Sequence, residues 1–513
     1  MSAVLTAIAH YAHQTPQAIA IEGDELHLSY SALHVEIETL SQHFRDQGYQ
    51  RLGLLMDNGP AWAVIDLAAM SAGVTLIPIP AFFTAEQALH ALSDAGVQAL
   101  MTDQSARVIE QFPGARLRPQ ARIAAQSVWL ASLPQTTAKN GQPPVAADIA
   151  KITYTSGTTG SPKGVCLSPA AMDGVATSLR NAIPVTSADR HLCLLPLAVL
   201  LENIGGIYAP LLAGACCVIP GLNKVGMQGA TELKPHQMLE AIATSRATSI
   251  ILLPQMLQAL IAMVSAGQPA PATLRFIAVG GAPVSARLLD QAKELGLPVF
   301  EGYGLSECAS VVAVNTPGHH RPGSVGRLLP HVQLAFADDG EILLKGKLFA
   351  GYLNQPPHEG GWYASGDLGY QDSDGYLYLS GRKKSCFITS FGRNVAPEWV
   401  ERELTLSPAI AQAVVFGEAQ PFNVAVITPH HANDQADSQI HSAVFEANHR
   451  LPDYARVSAW MVSDEPFSVA NQLFTATGRP RREAIWKHYS KRLNNLYDTH
   501  GASRPKRSQH AIL

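Results

Sequence analysis

The stretch "RLGLLMDNGPAWAVIDLAAMSAGVTLIPI", Arg51 to Ile79, contains in one run the pattern that decides the fold class of this chain. It begins with a short apolar run that predicts a buried strand, continues after Asn58 with a helix-like segment, and ends in a second apolar strand. Two strands joined by a helix of that length form a βαβ unit, in which the strands are parallel. The stretch therefore predicts a parallel sheet covered by helices.

The same alternation of strand and helix recurs in Thr84–Asp103 and in Thr248–Gly304. After about Asp338 short strands separated by Gly and Asp turns predict a β-rich region, and from Pro397 a new pattern predicts an α+β unit. We therefore predict an α/β fold with a large N-terminal domain of mostly parallel sheets flanked by helices plus a β-rich subdomain, followed by a small mobile α+β domain. The predicted boundaries are 1–382 for the large domain, 385–490 for the small domain and 491–513 for a flexible tail.

Composition narrows the class of protein. At 513 residues the chain exceeds the usual size of one hydrophobic core, and its formal net charge of −4 argues against a nucleic-acid partner. Its six cysteines form no C-x-x-C pair, so neither a zinc site nor a disulfide framework is indicated. The uncharged segment Ile204–Leu222 is nearly long enough to span a bilayer, but its glycines and prolines favour a buried helix, turn and strand. We expect a cytoplasmic protein with no stable membrane span.

A second stretch, "YTSGTTGSPKG" at Tyr154 to Gly164 and called the signature loop below, contains candidate ligand-binding residues. Its glycines allow a tight turn and close approach to a ligand, its hydroxyls are donors, and Lys163 adds a mobile positive charge. Such a loop suits phosphate oxygens. It differs from the Walker pattern because Pro162 stands where a glycine is required. Taken alone, the stretch is also compatible with an ordinary Gly/Ser surface turn.

This loop resembles the phosphate-binding signature of the adenylate-forming superfamily, which includes acyl- and aryl-CoA synthetases, luciferases and the adenylation domains of peptide synthetases. Four further motifs of that superfamily follow in the expected order: "GGAPVS" (Gly280–Ser285), "EGYGLSE" (Glu301–Glu307), "YASGDLG" (Tyr363–Gly369) and "GRKKSCFITSFGRNVAPEWVE" (Gly381–Glu401). The resemblance extends from about Pro16 to about Ile485. The last motif, together with "LPLAVLLEN" (Leu195–Asn203), is most similar to the fatty-acyl branch.

The resemblance implies an ATP site. It assigns to ATP the loop residues Thr155, Ser156, Gly157, Thr158, Thr159, Gly160 and Lys163 at the pyrophosphate end, Gly281, Ala282 and Tyr303 at adenine, and Asp367 and Arg382 at the ribose. Glu307 matches the position that coordinates Mg²⁺, and Ser306 replaces the usual threonine whose hydroxyl meets the α-phosphate. Singly, Asp367 is also compatible with a turn residue, Tyr303 with a core aromatic and Arg382 with a solvated charge. The shared order of the motifs argues against those alternatives.

The resemblance also implies a second reaction step in which the small domain rotates. Lys384, within a hinge at 383–384, matches the pivot, and Gly392 in the following loop would leave room for a thiol acceptor. The acceptor would be CoA or the phosphopantetheine of an acyl carrier protein. Gly302, Gly304 and Val199 match positions beside the substrate acid.

Two departures from the family pattern stand out. Arg479 falls where the family carries a catalytic lysine, although a shift of two residues would make Arg481 the match. Arginine keeps the charge but is bulkier and planar. Val199 stands where relatives often carry histidine, which makes the substrate wall more apolar.

The substrate itself is predicted only as a class. The resemblance implies that amino-acid-activating relatives carry an aspartate beside the substrate ammonium, early in the segment that corresponds to Pro196–Ile207. This chain has no aspartate there, and Glu202 is the only acid of the segment. Because an unpaired buried ammonium is costly, an amino acid is disfavoured. A fatty or other apolar acid is the preferred substrate, and aryl acids stay open.

These residues together predict an acid–thiol ligase that uses ATP and Mg²⁺ to form an acyl-adenylate and then a thioester. The predicted catalytic residues are Lys163, Ser306, Glu307 and Arg479. Two alternatives stay open. One is an acyl-AMP ligase that serves a carrier protein or an amine acceptor, and the other is a weakened adenylate-binding regulatory protein, suggested by Arg479.

Overall fold

The computed structural model describes residues 2–119, 122–133, 148–155, 162–228, 232–282, 284, 286–390, 393–430, 435–475 and 478–502. Six predicted site residues lie outside these ranges: Ser156, Gly157, Thr158, Thr159, Gly160 and Gly392. The remaining predicted site residues are described.

Helices flank sheets through most of the described chain. They are α1 (Ala3–Gln14), α2 (Tyr30–Asp46), α3 (Pro60–Ala72), α4 (Ala85–Asp94), α5 (Ser105–Gln111), α6 (Pro169–Ala182), α7 (Leu200–Glu202), α8 (Ala209–Leu212), α9 (Pro235–Thr244), α10 (Pro254–Ser265), α11 (Ala286–Glu294), α12 (Pro397–Thr405), α13 (Ala436–Arg450) and α14 (Arg482–Ala502). A π-helical turn, Asn203–Tyr208, joins α7 to α8, and short 3₁₀ turns lie at Ser306–Cys308 and Asp453–Ala455.

The strands are numbered in chain order. They are β1 (Ile19–Glu22), β2 (His27–Ser29), β3 (Arg51–Leu55), β4 (Thr75–Pro78), β5 (Ala99–Thr102), β6 (Arg116–Pro119), β7 (Trp129–Ser132), β8 (Lys151–Thr155), β9 (Lys163–Leu167), β10 (Arg190–Leu192), β11 (Cys216–Val218), β12 (Met227–Gln228), β13 (Glu232–Leu233), β14 (Ser249–Leu252), β15 (Phe276–Val279), β16 (Val299–Leu305), β17 (Ser310–Val314), β18 (Arg327–Leu328), β19 (Val332–Phe336), β20 (Glu341–Gly346), β21 (Gly351–Tyr352), β22 (Tyr363–Gln371), β23 (Leu377–Arg382), β24 (Phe387–Ile388), β25 (Asn394–Val395), β26 (Ile410–Phe416), β27 (Asn423–Pro429) and β28 (Val457–Val462).

The βαβ unit predicted from the opening stretch is confirmed. Strands β3 and β4 are parallel, with Arg51 opposite Thr75, and α3 connects them. The helix begins at Pro60. The first N–H groups of a helix have no intrahelical acceptor, so the missing N–H of proline costs no hydrogen bond there. The helix is capped at its C-terminus by Gly73, whose φ of +73° is a conformation that favours glycine. Its residues from Pro60 to Met70 are all buried, and all of them except Asp66 are apolar, as expected of a helix that is covered on every side.

Two large sheets form the N-terminal part, as predicted. One has the strand order β21-β9-β8-β4-β3-β5-β7-β6, and the other has the order β18-β17-β16-β15-β14-β10-β11-β1-β2. In the second sheet the six consecutive strands β16, β15, β14, β10, β11 and β1 run parallel to one another. The carboxyl ends of such strands share one edge of the sheet, where ligands bind in folds of this type. The predicted substrate and adenine motifs follow β10, β15 and β16, so they meet at that edge.

The β-rich and C-terminal regions also match the prediction. An antiparallel sheet of order β19-β20-β22-β23 contains the "YASGDLG" motif, and a separate sheet of order β26-β27-β28 packs against α12, α13 and α14. The α/β fold with a β-rich subdomain and an α+β C-terminal region is therefore confirmed.

The predicted start of the tail at residue 491 is wrong. Helix α14 continues through Ala502, and Leu493 and Tyr497 are buried against the C-terminal sheet. Their four-residue spacing continues the apolar face set by Tyr489, so the helix goes on burying surface beyond residue 490. Residues 503–513 lie outside the described residues.

A polar cluster in the core holds the strand that leads into the signature loop. The Lys151 ammonium, at the start of β8, lies 2.8 Å from Asp66 Oδ1 on α3, and both side chains are almost fully buried. The Tyr208 hydroxyl donates to Asp66 Oδ2 at 2.8 Å. Every member of this cluster has a partner, as buried charges require.

The segment Ile204–Leu222 folds as predicted into buried helix, turn and strand, comprising the π-helical turn, α8 and β11. Within the part of the chain that the structure describes, no helix is both long and apolar enough to cross a membrane. All six cysteines are free thiols, in agreement with the absence of a disulfide pattern.

Candidate active site

Strands β8 and β9 form a hairpin that presents both ends of the signature loop. Thr155 and Lys163 lie opposite each other at its open end. Helix α4 holds the hairpin from outside: Asp94 accepts a 2.8 Å hydrogen bond from the Tyr154 hydroxyl, and His90 Nε2 donates to the Pro162 carbonyl at 3.2 Å. The two holding residues are four positions apart, on one face of α4. Sequence reasoning missed both.

Lys163 and Glu307 both contact the side chain of Tyr352. Strand β21 pairs with β9 and sets Tyr352 opposite Val165. The Lys163 ammonium lies 5.2 Å from the centroid of the Tyr352 ring, and the Tyr352 hydroxyl donates a 2.6 Å hydrogen bond to Glu307 Oε1. Burial, and then the bond to Glu307, raise the pKa of Tyr352 to about 12, so the hydroxyl keeps its proton. The structure thus brings together two residues separated by 144 positions.

The Glu307 carboxylate fits a magnesium ion. It is partly exposed, and because the Tyr352 hydroxyl is a neutral donor, the bond leaves the negative charge of the carboxylate in place. Carboxylate oxygen is the ligand type that Mg²⁺ prefers, and such sites usually combine one or two carboxylates with substrate phosphates. Glu307 and Ser306 share the short 3₁₀ turn that follows β16.

The turn after Glu307 is strained. Ala309 has φ +53° and Ser310 has φ +111°, values that side-chain-bearing residues rarely adopt. Gly304 accommodates this turn, because a Cβ atom there would lie 1.8 Å from the Ser310 carbonyl oxygen. The glycine of the motif is therefore required by the approach of β17.

The predicted ribose residues form one hydrogen-bonded group. Asp367 accepts from the Tyr303 hydroxyl at 2.7 Å through Oδ2, and its Oδ1 lies 2.9 Å from Arg382 Nε. Asp367 and Arg382 are also cross-strand neighbours in β22 and β23. Burial, and then the Asp367 carboxylate, raise the pKa of Tyr303 well above its ordinary value.

The predicted adenine loop lies beside this group. Gly281 and Ala282 are exposed, and Gly281 has φ +77°, a conformation that favours glycine. A Cβ at the preceding Gly280 would be 3.0 Å from the Gly302 carbonyl oxygen, so the loop packs closely against β16. The motifs that are predicted to bind the base and the ribose are thus adjacent.

Arg479, in the C-terminal region, lies within electrostatic range of Arg382, Asp367 and Glu307, and the site that these four residues border is called the cleft below. It lies in a turn in which its backbone N–H donates to Thr475 Oγ1 at 3.1 Å. Desolvation is the first cause that lowers its pKa, followed by the charge of Arg382, while Asp367 and Glu307 are among the acids that oppose the shift. Its side chain nevertheless keeps an exposed surface. These neighbours favour Arg479 over Arg481 as the counterpart of the family lysine.

A second contact links the two regions near the adenine loop. Arg402 on α12 donates from Nη1 to the Val284 carbonyl at 3.0 Å. The Glu301 side chain, at the head of the "EGYGLSE" motif, is buried, and this burial raises its pKa to about 8, opposed by the charge of Arg402. The C-terminal region therefore contacts the loop that follows β15.

The predicted substrate wall is fixed by a side chain that sequence reasoning missed. Asn58 donates from Nδ2 to the Leu195 carbonyl at 2.8 Å and accepts from the Leu197 N–H at 2.8 Å. Val199 follows at the start of α7 and is partly exposed. Asn58 thereby sets the backbone course of the wall that precedes Val199.

Glu202 is occupied within the fold. It is fully buried, accepts from the Leu195 N–H at 3.0 Å and lies 2.9 Å from His191 Nε2. With Cys193, these two residues form the one cluster of His, Cys and carboxylate side chains in the described ranges that is compact enough for a metal ion. The existing hydrogen bonds satisfy the pair, so we assign it a structural role.

The predicted hinge joins β23 to the C-terminal region. Lys384 is exposed in a turn closed by the Cys386 N–H, which donates to the Arg382 carbonyl at 2.8 Å. The preceding Lys383 is tied to the β-rich subdomain, because its ammonium lies 2.6 Å from Asp339 and 2.7 Å from Glu341.

Comparison with known proteins places this arrangement in a family. Residues 8–353 match the AMP-binding enzyme family, and residues 384–501 match the AMP-binding enzyme C-terminal domain. A long-chain-fatty-acid–CoA ligase of Mycobacterium bovis is 29% identical over 437 residues, which cover 72% of this chain and 71% of that protein. A 2-succinylbenzoate–CoA ligase of Bacillus mycoides is 28% identical over 434 residues, which cover 79% of this chain and 83% of that protein.

The fold is shared with solved structures. The o-succinylbenzoate coenzyme A synthetase of Bacillus subtilis, in complex with ATP and a magnesium ion, superimposes with a TM-score of 0.72 at 23% identity, covering 93% of this chain and 98% of that one. The family matches span most of the chain and agree with the order of its motifs. The chain therefore belongs to the AMP-binding enzyme family and is an enzyme of the acid–thiol ligase class.

Proposed function

We propose that this enzyme activates a fatty or other apolar carboxylic acid with ATP and transfers the acyl group to the thiol of CoA. A carboxylate oxygen attacks the α-phosphorus, the bond to pyrophosphate breaks, and acyl-AMP forms. The thiolate of CoA then attacks the acyl carbonyl carbon, and AMP leaves. The observation that carries this proposal is one chain of contacts: Lys163 and Glu307 both contact Tyr352, and Asp367 is paired with Arg382. The charges of Glu307, Asp367 and Arg382 all act on Arg479.

The first half-reaction brings two anions together, so the site has to stabilise negative charge. In this proposal Lys163 and the loop positions 155–160 bind the pyrophosphate end, and the Ser306 hydroxyl contacts the α-phosphate. Tyr303 stacks on adenine, and Asp367 accepts the ribose hydroxyls. Arg479 orients the attacking carboxylate and the α-phosphate with its two-pronged guanidinium. A magnesium ion held by Glu307 would supply further charge neutralisation.

The apolar character of the acid follows from the substrate wall. Val199 offers no polar group, and Glu202 is buried in its own hydrogen bonds, so neither residue can compensate a substrate ammonium. The relatives named above act on a long-chain fatty acid and on 2-succinylbenzoate, so both an aliphatic and an aryl acid belong in the test. We favour the aliphatic acid.

The second half-reaction requires the cleft to admit a thiol. We propose that the hinge at 383–384 divides a domain of residues 1–382 from a small domain beginning at 385, and that rotation about Lys384 brings the loop around Gly392 to the cleft. CoA is the proposed acceptor. A carrier-protein phosphopantetheine is the alternative acceptor, and the cytoplasm stays the predicted location.

The deciding experiment is pyrophosphate release with Mg-ATP and a panel of fatty acids of graded length, aryl acids and amino acids, each with and without CoA. We expect release with apolar acids, stimulation by CoA, and an acyl-CoA product. Release without an acyl-CoA product would support the alternative of an acyl-AMP ligase. ATP binding without acid-dependent release of pyrophosphate, in both the natural chain and an Arg479→Lys variant, would contradict the proposal. The alternative of a weakened adenylate-binding regulatory protein would then replace it.

A further inference from the structure

Tyr352 touches both charged groups of the phosphate end. Its ring face lies under the Lys163 ammonium at 5.2 Å from the centroid, and its hydroxyl donates to Glu307 Oε1 at 2.6 Å. A second hydroxyl, that of Tyr363, lies 3.1 Å from the Tyr352 oxygen. A single side chain therefore contacts a lysine and a glutamate of opposite charge, one through its ring and the other through its hydroxyl.

The backbone that carries Tyr352 is held on both sides. The Leu353 N–H donates to the Gly164 carbonyl at 2.8 Å, which ties the segment to the residue after Lys163. Asn354, at φ +59°, donates from Nδ2 to Asp94 Oδ1 at 2.8 Å. The Phe349 N–H donates to the Glu307 carbonyl at 2.7 Å. The hydroxyl of Tyr352 is thus aimed at Glu307 by the hydrogen bonds that hold its own segment.

Tyr352 contacts Lys163 through its ring face and Glu307 through its hydroxyl, and neither contact cancels the charge of the residue. An ammonium over an aromatic face is attracted by the ring without losing its charge to a counter-ion. A neutral hydroxyl that donates to a carboxylate fixes one oxygen of that carboxylate without cancelling its charge. If the tyrosine were absent, Lys163 and Glu307 would attract each other directly, and their ion pair would compete with phosphate and metal for the same charges.

We propose that Tyr352 is a positioning residue that keeps Lys163 and Glu307 apart, its ring directing the lysine to phosphate and its hydroxyl leaving the second carboxylate oxygen of Glu307 for the metal of Mg-ATP. This inference rests on the proposed function, because it assumes that ATP binds in this cleft. Two variants separate the two contacts. Tyr352→Phe removes only the hydroxyl, whereas Tyr352→Leu removes the ring face as well.

The test is calorimetric titration of the full chain with ATP in the absence of any acid, in EDTA and in Mg²⁺, so that binding is measured without turnover. For the natural chain we expect Mg²⁺ to strengthen ATP binding. For Tyr352→Phe we expect that strengthening to shrink about tenfold, the typical effect of losing one hydrogen bond to a charged group, with affinity in EDTA unchanged. For Tyr352→Leu we expect affinity in EDTA to fall as well, because Lys163 then turns to Glu307.

Two further variants serve as controls. Tyr363→Phe keeps the Tyr352–Glu307 bond and should reduce the effect of Mg²⁺ less than Tyr352→Phe does. Tyr378→Phe removes a hydroxyl-to-carboxylate bond of 3.2 Å to Asp372, farther along the β-rich sheet, and should change neither affinity. Melting temperatures of all variants check that the fold is intact.

The outcomes distinguish this inference from the proposed function. If the natural chain does not bind ATP at all, both are overturned. If it binds ATP with a gain from Mg²⁺ but Tyr352→Phe retains the full gain, only the role of Tyr352 is overturned. If Tyr352→Phe lowers the affinity for ATP equally in EDTA and in Mg²⁺, the hydroxyl contacts the nucleotide or serves only the fold. That result would also overturn the proposed role of Tyr352.

Discussion

The Tyr303 hydroxyl donates a 2.7 Å hydrogen bond to Asp367 Oδ2, and this bond joins the two halves of the proposed nucleotide site. Tyr303 belongs to β16, at the carboxyl edge of the parallel sheet, whereas Asp367 belongs to β22 of the β-rich subdomain. The other oxygen of Asp367 is paired with Arg382. The orientation of the predicted ribose acid is thus set from two different sheets.

We predict that Tyr303→Phe weakens ATP use while leaving the ring in place. The loss of a hydrogen bond to a charged carboxylate typically corresponds to about a tenfold change in an equilibrium constant, so the KM for ATP should rise about tenfold. The KM for the acid should not change. The measurement is steady-state pyrophosphate release, with Tyr378→Phe as the matched control. A rise in both KM values would indicate a general disturbance of the cleft and contradict the prediction.

We predict that Arg479 carries the adenylation step. Removal of a charged group that stabilises the developing charge of a transition state commonly costs about 10²–10³-fold in rate, so Arg479→Ala should lose activity on that scale. Arg479→Lys retains the charge and should keep much more of the rate. The assay is acid-dependent pyrophosphate release, and Arg481→Ala is the control because it tests the alternative alignment. An unchanged rate in Arg479→Ala would remove this residue from the mechanism.

We predict that Asn58 acts on acid binding through the substrate wall. Asn58→Ala would leave the Leu195 carbonyl and the Leu197 N–H without their side-chain partner, so the wall should relax. The KM for the acid should rise several-fold while the KM for ATP stays constant. The melting temperature should also fall.

The chain supplies a matched control for Asn58. Asn448 clamps the backbone of Val457 in the same two-sided way, at 2.8 and 2.9 Å, but in the C-terminal region. Asn448→Ala should lower the melting temperature without changing the KM for the acid. If both variants change that KM equally, the effect is one of stability alone.

Much of the fold could be predicted because its signals are local. Each strand and each helix is marked by the spacing of apolar residues within a short segment, as in β3, α3 and β4, and their alternation along the chain predicts the parallel sheet. The motif residues Lys163, Glu307 and Asp367 could be named because each lies in a short characteristic run. The continuation of α14 also has a local signal, because Leu493 and Tyr497 extend the four-residue spacing of Tyr489. The charged residues among them favour an exposed tail and weaken that signal.

The residues that hold the site could not be predicted in the same way. Asn58, Asp94 and Tyr352 are single polar residues. Their partners lie between 45 and 260 positions away, apart from Tyr363 at 11 positions from Tyr352, so no local pattern marks them. Their function depends on the tertiary fold, which brings the partner to them. The same reason left the choice between Arg479 and Arg481 open in the sequence, because only the cleft shows which side chain has acids and Arg382 around it.

We predict that Glu301 makes stability depend on pH. Burial raises its pKa from 4.5 to about 8, so between these values the folded chain holds a proton that the unfolded chain has released. The folded state then binds more protons, and the free energy of unfolding falls as pH rises through this window, by at most about 1.4 kcal/mol per pH unit. The contribution is fully present below about pH 4.5 and lost above about pH 8.

Glu301→Gln removes this proton exchange while keeping the size of the side chain. Relative to the natural chain, the variant should therefore gain stability as pH rises from 5 to 8, as measured by melting temperature at intervals across that range. Glu446→Gln, at an exposed position of α13, should follow the natural chain at every pH. If the difference between Glu301→Gln and the natural chain is constant across the range, Glu301 is already ionised in the folded state and the charge of Arg402 outweighs the burial.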